Sequence, residues 1–228
     1  SGDDNRVERC TIDSPRGAEI LGAKNLVLGC NISGETGVVF NRTWGGQVEG
    51  CRISALRGVV LEECHDSAVS NNSYSGSGLG ISLSRSHDNT VSGNRLSGAM
   101  VSGIDDFRCR SNNHSQNTIS GAKVGISLRQ SQGCNITGNI CHKNERAGIF
   151  LDGGSKNSLK GNRLSENGNG ILLQKSAGNA LVNNSAYQNS YGISIRACGN
   201  NSLRSSRLWG NSYNLRIDSG QSGPEPSN

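Results

Sequence analysis

One short pattern recurs along this chain at a near-constant interval, and it dictates what the chain can fold into. A glycine followed by apolar-x-apolar opens "GVVLEECHDSAVSNN" at Gly58, "GISLSRSHDNTVSGN" at Gly80, "GISLRQSQGCNITGN" at Gly125, "GIFLDGGSKNSLKGN" at Gly148, "GILLQKSAGNALVNN" at Gly170 and "GISIRACGNNSLRSS" at Gly192. A further copy at Gly103, "GIDDFRCRSNNHSQN", keeps the length but breaks the apolar alternation, and three shorter, more degenerate copies precede Val59. The whole is about ten units of 20 to 23 residues. A unit this short cannot bury its apolar edge alone, whereas stacked units share one continuous core.

Within each unit, runs such as "GISL", "NTVSGN" and "NRLSG" alternate apolar and polar residues between Gly, Ser and Asn. Short strands joined by tight turns read this way, and no helical period is present. Only 32% of the 228 residues are hydrophobic and 4% aromatic, so polar residues must fill part of the interior. The fold class expected is all-β, a parallel β-solenoid of about ten rungs, roughly 48 Å long at the usual strand spacing. Gly-Ile-x-Leu followed by Asn-x-Ile-x-Gly-Asn resembles the right-handed parallel β-helix repeats of the NosD and pectate-lyase-like group, a carbohydrate-binding and sugar-hydrolysis class. The resemblance runs from about Val7 to Asp218. It implies one β-helix domain over residues 1–218, with 219–228 as a flexible tail, and favours an extracellular or periplasmic location.

The cysteines fall into this register. Asn72, Asn94, Asn117, Asn139, Asn162 and Asn184, with Ser206, occupy one turn position, and toward the N-terminus the same ladder reads Cys51, Cys30 and Cys10. Cys64, Cys109 and Cys198 share a position with Ser86, Ser131 and Ser176. Cys134 replaces an Asn of the ladder Asn89, Asn112, Asn157, Asn179 and Asn201, and Cys141 takes the inward place of Leu96 and Leu164. Stacked neighbours sit about 4.8 Å apart with parallel side chains, while a disulfide needs Cβ atoms near 3.8 Å, so eight free, buried thiols are expected. Spacings near twenty residues without Cys-x-x-Cys argue against zinc.

Chemistry must then come from outward positions of the strand that opens each repeat. These are Glu62, Ser82 and Ser84, Asp105 and Phe107, Ser127 and Arg129, Phe150 and Asp152, Leu172 and Gln174, Ser194 and Arg196, with Arg85, Arg108 and Lys175 just beyond. Acids and arginines mixed on an extended face suit an anionic polysaccharide, because guanidinium forks clasp carboxylates and carboxylates take sugar hydroxyls or a cation such as Ca²⁺. Glu62, Arg85, Arg108, Asp152, Gln174 and Arg196 are the candidate substrate-binding residues. A solvated face whose charges block aggregation is the plain alternative.

Asp105, Asp106 and Arg129 are the candidate catalytic residues. Asp106 stands where other copies carry Leu83, Leu128, Leu151 and Leu173, and an inward carboxylate costs several kcal/mol unless protonated, paired or bulged outward. "GIDDF" resembles the double aspartate of polygalacturonase-type hydrolases, which implies an acid and base pair. Their Asn-Thr-Asp, Gly-His-Gly and Arg-Ile-Lys motifs, and the Asp-Pro-His of mannuronan epimerases, do not occur. By the same resemblance, Arg129 would serve as a lyase base or neutralise a uronate. A second cluster stacks "HDSAVSNN" on "HDNTVSGN", placing His65 on His87 and Asp66 on Asp88, either as turn hydrogen bonds or as a metal pair of the kind NosD's link to copper-site assembly implies.

Three functions remain open. They are an enzyme on acidic polysaccharide by lyase, epimerase or hydrolase chemistry, a carbohydrate-binding or surface repeat module, and a NosD-like accessory of copper-site assembly. The net charge of +5 is too small and dispersed for nucleic acid, and no apolar run approaches a membrane span. An uncovered first rung near Val7 points to end-to-end self-association or a flanking domain, while Pro224 and Pro226 would terminate stacking at the far end.

Overall fold

The computed structural model describes residues 2–98 and 101–218; the expected tail at 219–228 lies outside the described residues. Each rung follows the same three-strand course, and every pairing between rungs of the described residues is parallel. The first strands, from Arg6–Glu8 to Ser202–Arg204, form a ten-stranded sheet, which sets the rung number at ten. The second strands run from Thr11–Asp13 to Arg207–Trp209 and the third from Ala18–Ile20 to Tyr213–Asp218. In the second and third rungs these two merge into single strands, Asn31–Asn41 and Arg52–Glu62, which join both stacks into one bent 18-stranded sheet. No helix among the described residues is long and apolar enough to cross a membrane.

The core is a set of vertical columns. Val69, Val91, Ile136 and Leu159 line the first stack, Ile53, Leu96, Ile119 and Leu164 the second, and Ile104, Ile126, Ile149 beside Leu83, Leu128, Leu151 the third. Most of these apolar side chains meet another apolar side chain one strand spacing away, so few large residues suffice.

Two sequence devices hold the rungs in register. The first is the repeat glycine at the head of the third strand. A Cβ on Gly125 would lie 2.4 Å from the Gly148 carbonyl oxygen and 3.1 Å from Cys141 Sγ, and Gly80 is as tightly placed against Gly103. The second is the asparagine ladder at the turn between the first and second strands. Asn94 Nδ2 donates to the Val69 carbonyl at 2.8 Å and to Asn117 Oδ1 at 3.0 Å, and that oxygen also accepts the Asn94 backbone N–H at 3.0 Å. The preceding residue is left-handed, as at Gly93, Gly138 and Gly161, which is why the repeat spells Gly-Asn. Asn144, Asn167, Asn189 and Asn211 form a further ladder, at the turn between second and third strands, that the sequence reading did not single out.

All eight cysteines are free, and six are buried. Cys10 is exposed and Cys198 half-buried, contrary to the expectation of eight buried thiols, because both sit near the ends of the rod where cover runs out. The thiols are more than filler. Cys30 Sγ accepts the Cys10 N–H at 3.4 Å and donates to the Leu28 carbonyl, and Cys51 repeats the arrangement one rung on, so sulfur performs the asparagine's bonding. Burial pushes the Cys51, Cys109 and Cys141 thiols up, and Cys134, which also faces the Asp106 carboxylate, up to about 12.

Replacing Gly125 with Ala should therefore cost roughly 1–3 kcal/mol or more, read from the urea midpoint, since the Cβ meets backbone that cannot step aside. An unchanged midpoint would mean the third strand has room to spare. Well below about pH 8.5 the Cys51, Cys109, Cys134 and Cys141 thiols are protonated in folded and unfolded chains alike. Above it the unfolded chain releases these protons first, so stability should fall as pH rises, by up to about 1.4 kcal/mol per pH unit for each of the four. Thermal midpoints from pH 8 to 11 read this. A thiol reagent at pH 8 should find Cys10 quickly, Cys198 more slowly and the other six only after denaturation, and fast reaction of those six would refute their burial.

Candidate functional site

The outward face of the third stack is built by strand alternation on Leu79–Ser84, Ser102–Phe107, Val124–Arg129, Ala147–Asp152, Asn169–Gln174 and Tyr191–Arg196. Register pairs Ser82 with Asp105 and Asp105 with Ser127 in one row, and Phe107 with Arg129 and Arg129 with Asp152 in the next. A small apolar patch, Val124, Ala147, Phe150 and Leu172, is buried on this outer side.

Asp105 lies at the floor of the face with its side chain 10% exposed. Arg129 grips it with both ends of the fork, Nη2 to Oδ2 at 2.7 Å and Nε to Oδ1 at 3.2 Å, and lies 4.9 Å from the Phe107 ring centre. The hydrogen bond and charge of Asp105 hold the Arg129 guanidinium more firmly protonated than an ordinary arginine. Arg129 is thus a fixed donor, poorly suited to the role of base.

Asp106 points the other way. It is fully buried inside the coil, in the column between Leu83 and Leu128, and the acid and base pair read from "GIDDF" is not assembled because adjacent strand residues face opposite sides of the sheet. Its partner is His114, Nε2 to Oδ2 at 2.8 Å, with Asn112 Nδ2 donating to the same oxygen at 3.1 Å. His114 was missed in the sequence, although it too breaks a column, standing between Val91 and Ile136. Two polar intrusions, each costly alone, satisfy one another in part, through a single hydrogen bond. Asp106 Oδ1 and His114 Nδ1 remain without partners.

The candidate binding residues divide by their partners. Arg85 bonds Glu62 at 2.8 Å and Glu63 at 3.1 Å, and Glu63 also takes Arg42, a network that neutralises itself. Among the described residues the Arg108 side chain donates only to the neutral Gln130, at 2.9 Å, and lies over Phe107, while Arg196 donates to Ser194 Oγ at 3.3 Å. Asp152 and Gln174 are half-buried neighbours in one row. At the next turn His65 and His87 stack with ring centres 5.2 Å apart, each Nδ1 at 2.9 Å from Asp66 or Asp88, beneath Trp44. Among the described residues no three His, Cys, Asp or Glu side chains converge as ion ligands, for calcium or copper.

A family model described as periplasmic copper-binding protein (NosD) matches residues 102–224, and one described as right handed beta helix region matches residues 1–132. The chain belongs to this right-handed β-helix repeat family. No curated protein matches it in sequence. Among solved structures the β-helix resembles the periplasmic alginate epimerase AlgG, with a TM-score of 0.70 at 18% identity over 97% of this chain and 62% of that one. It also resembles the tailspike protein of E. coli bacteriophage HK620, solved with a pentasaccharide, with a TM-score of 0.63 at 10% identity over 92% of this chain and 52% of that one. An exopolygalacturonase from Thermotoga maritima gives a TM-score of 0.53 at 10% identity over 80% and 55%. The chain spans less than two thirds of each of these structures, and at such identities the likeness is one of fold.

The Asp106–His114 pair yields a double-mutant test on this β-helix. Asp106→Leu alone should destabilise by about 1–3 kcal/mol by stranding His114. His114→Val alone should cost about 3–5 kcal/mol by stranding a buried carboxylate. The double substitution restores both columns and should be neutral or stabilising by about 1–4 kcal/mol in chemical denaturation. Additive losses in the double variant would show that the two side chains do not depend on each other.

Proposed function

We propose that this β-helix is a carbohydrate-active protein that holds an acidic polysaccharide along the outward face of its third stack. The observation that carries the reading is the Asp105–Arg129 pair on the floor of that face. Around it, among the described residues, the Arg108 and Arg196 side chains bond only neutral oxygens, Arg196 with Asp218 opposite it in register, which supports charge left for a ligand. The epimerase, tailspike and exopolygalacturonase likenesses support a saccharide ligand by analogy of fold.

Arg129, locked to Asp105, orients a bound chain by donating its remaining N–H groups to sugar or uronate oxygens. Asp152 follows Arg129 in the row and is the exposed-side carboxylate left to move a proton. Chemistry on the bound chain therefore assigns Asp105 and Arg129 to positioning and Asp152 to proton transfer. A NosD-like role in copper-site assembly rests on the match to residues 102–224, yet the accessible His65 and His87 pair lies outside that match.

Affinity electrophoresis through polygalacturonate or alginate tests the reading. Arg108→Gln with Arg196→Gln should weaken retention about tenfold, and added salt should weaken the parent protein in the same sense. Incubated polyuronates should show new ultraviolet absorbance, altered epimer content or shortened chains, lost in Asp152→Asn while the rod stays folded. A parent protein that binds no acidic polysaccharide sinks the reading.

A further inference from the structure

The outward face of the second stack differs from that of the third in one respect that bears on anion binding. Over the third to fifth rungs its strands are the first part of Arg52–Glu62, then Ser73–Ser75 and Arg95–Ser97. Register sets Arg52, Ser73 and Arg95 in one outward row. The parallel row reads Ser33, Ser54, Ser75 and Ser97, with Ser33 paired to Ser54 and Ser75 to Ser97. Together they line a surface groove of about 450 Å³ that contains no acidic residue.

Arg52 and Arg95 are exposed and make no ion pair among the described residues. Arg85 and Arg129 on the neighbouring face are already held by Glu62, Glu63 and Asp105. A ligand carboxylate reaching Arg85 or Arg129 must compete with an internal carboxylate, and one reaching Arg52 or Arg95 displaces only water. Two strand spacings, roughly 10 Å, separate Arg52 and Arg95 along the row, with Ser73 between them and Ser75 beside it in the parallel row. Guanidinium forks take carboxylates bidentately, and serine hydroxyls both donate to and accept from sugar hydroxyls.

We infer that this arginine and serine groove is a second binding site, taking the carboxylates and hydroxyls of a uronate-containing polysaccharide laid along the rod axis. It rests on the proposal of an acidic polysaccharide ligand and adds a face that the strand opening each repeat does not supply. Neutral glucans, which lack the carboxylate, are not retained by it.

The test compares three variants with the parent in titrations against polygalacturonate, with dextran as the neutral control. Arg52→Gln with Arg95→Gln should weaken binding about tenfold and flatten its salt dependence. Arg52→Lys with Arg95→Lys should fall between, because charge is kept and the fork is lost. Both residues are exposed, so thermal midpoints should not move. Arg108→Gln with Arg196→Gln serves as the comparison on the third-stack face. If both pairs at Arg52 and Arg95 bind as the parent does while the Arg108 and Arg196 pair is weakened, the second site is overturned and the proposed function stands. If the parent itself retains no polygalacturonate above dextran, both fall together.

Discussion

Everything in this molecule depends on one repeated geometry, a strand laid on a parallel strand at a single spacing so that each residue meets its own counterpart one rung away. That spacing lets an asparagine accept the backbone N–H of the rung before it while its own amide group bonds an earlier carbonyl, as at Asn94 and Asn117. Turn carbonyls and N–H groups that would otherwise be orphaned in a narrow interior are thus satisfied by identical side chains in file. The same rule makes the repeat glycine necessary, because a Cβ at Gly125 would occupy the place of the next rung's carbonyl. Sulfur meets the requirement at Cys30 and Cys51 with longer bonds, which explains how three asparagine positions become cysteine with the register kept.

A stack so regular makes its irregularities readable as pairs. Asp106 replaces a leucine in one column and His114 a valine or isoleucine in another, and the two side chains meet across a corner of the interior. Neither substitution is tolerable alone, so each is evidence for the other. The pair also separates Asp106 from its sequence neighbour Asp105, since alternation along Ser102–Phe107 puts one carboxylate inside the coil and the other outside. Local rule-breaking here marks an internal repair, and the outward anomaly is Asp105, whose oxygens Arg129 satisfies.

The period, the parallel stacking and most ladders are legible because they are properties of residue type at fixed spacing: Gly58 to Gly192 give the rungs, and Asn72 to Asn184 give one turn. The partner of Asp106 is equally written, as His114 in "NNHSQN" against Val91 in "NTVSGN", but it stands on a different strand of the repeat, and the sequence alone does not show that the two columns meet. The Asn144 to Asn211 ladder escaped for a related reason, since its turn has no counterpart in the shorter early rungs, where Asn31–Asn41 and Arg52–Glu62 run straight through. Which arginines remain available was not legible. Arg85 and Arg52 look alike in sequence, and only the placement of Glu62 and Glu63 beside the first tells them apart.

That last distinction orders the surface. A charged row on a β-helix meets itself every rung, so like charges in file repel and opposite charges in file cancel. The third-stack face takes the second course over its early rungs, interleaving Glu62 and Glu63 with Arg42 and Arg85, and gains register at the expense of anion affinity. The second-stack face takes neither course: Ser73 stands between Arg52 and Arg95, spacing two cations by a neutral rung so that repulsion is low and neither is consumed. Spaced, unneutralised arginines contribute little to holding rungs together, because no partner draws them along the axis. Under the proposed second site, that spacing answers to a ligand outside the rod: a polymer carrying a carboxylate on its sugar units would have a repeat able to match a row of separated cations.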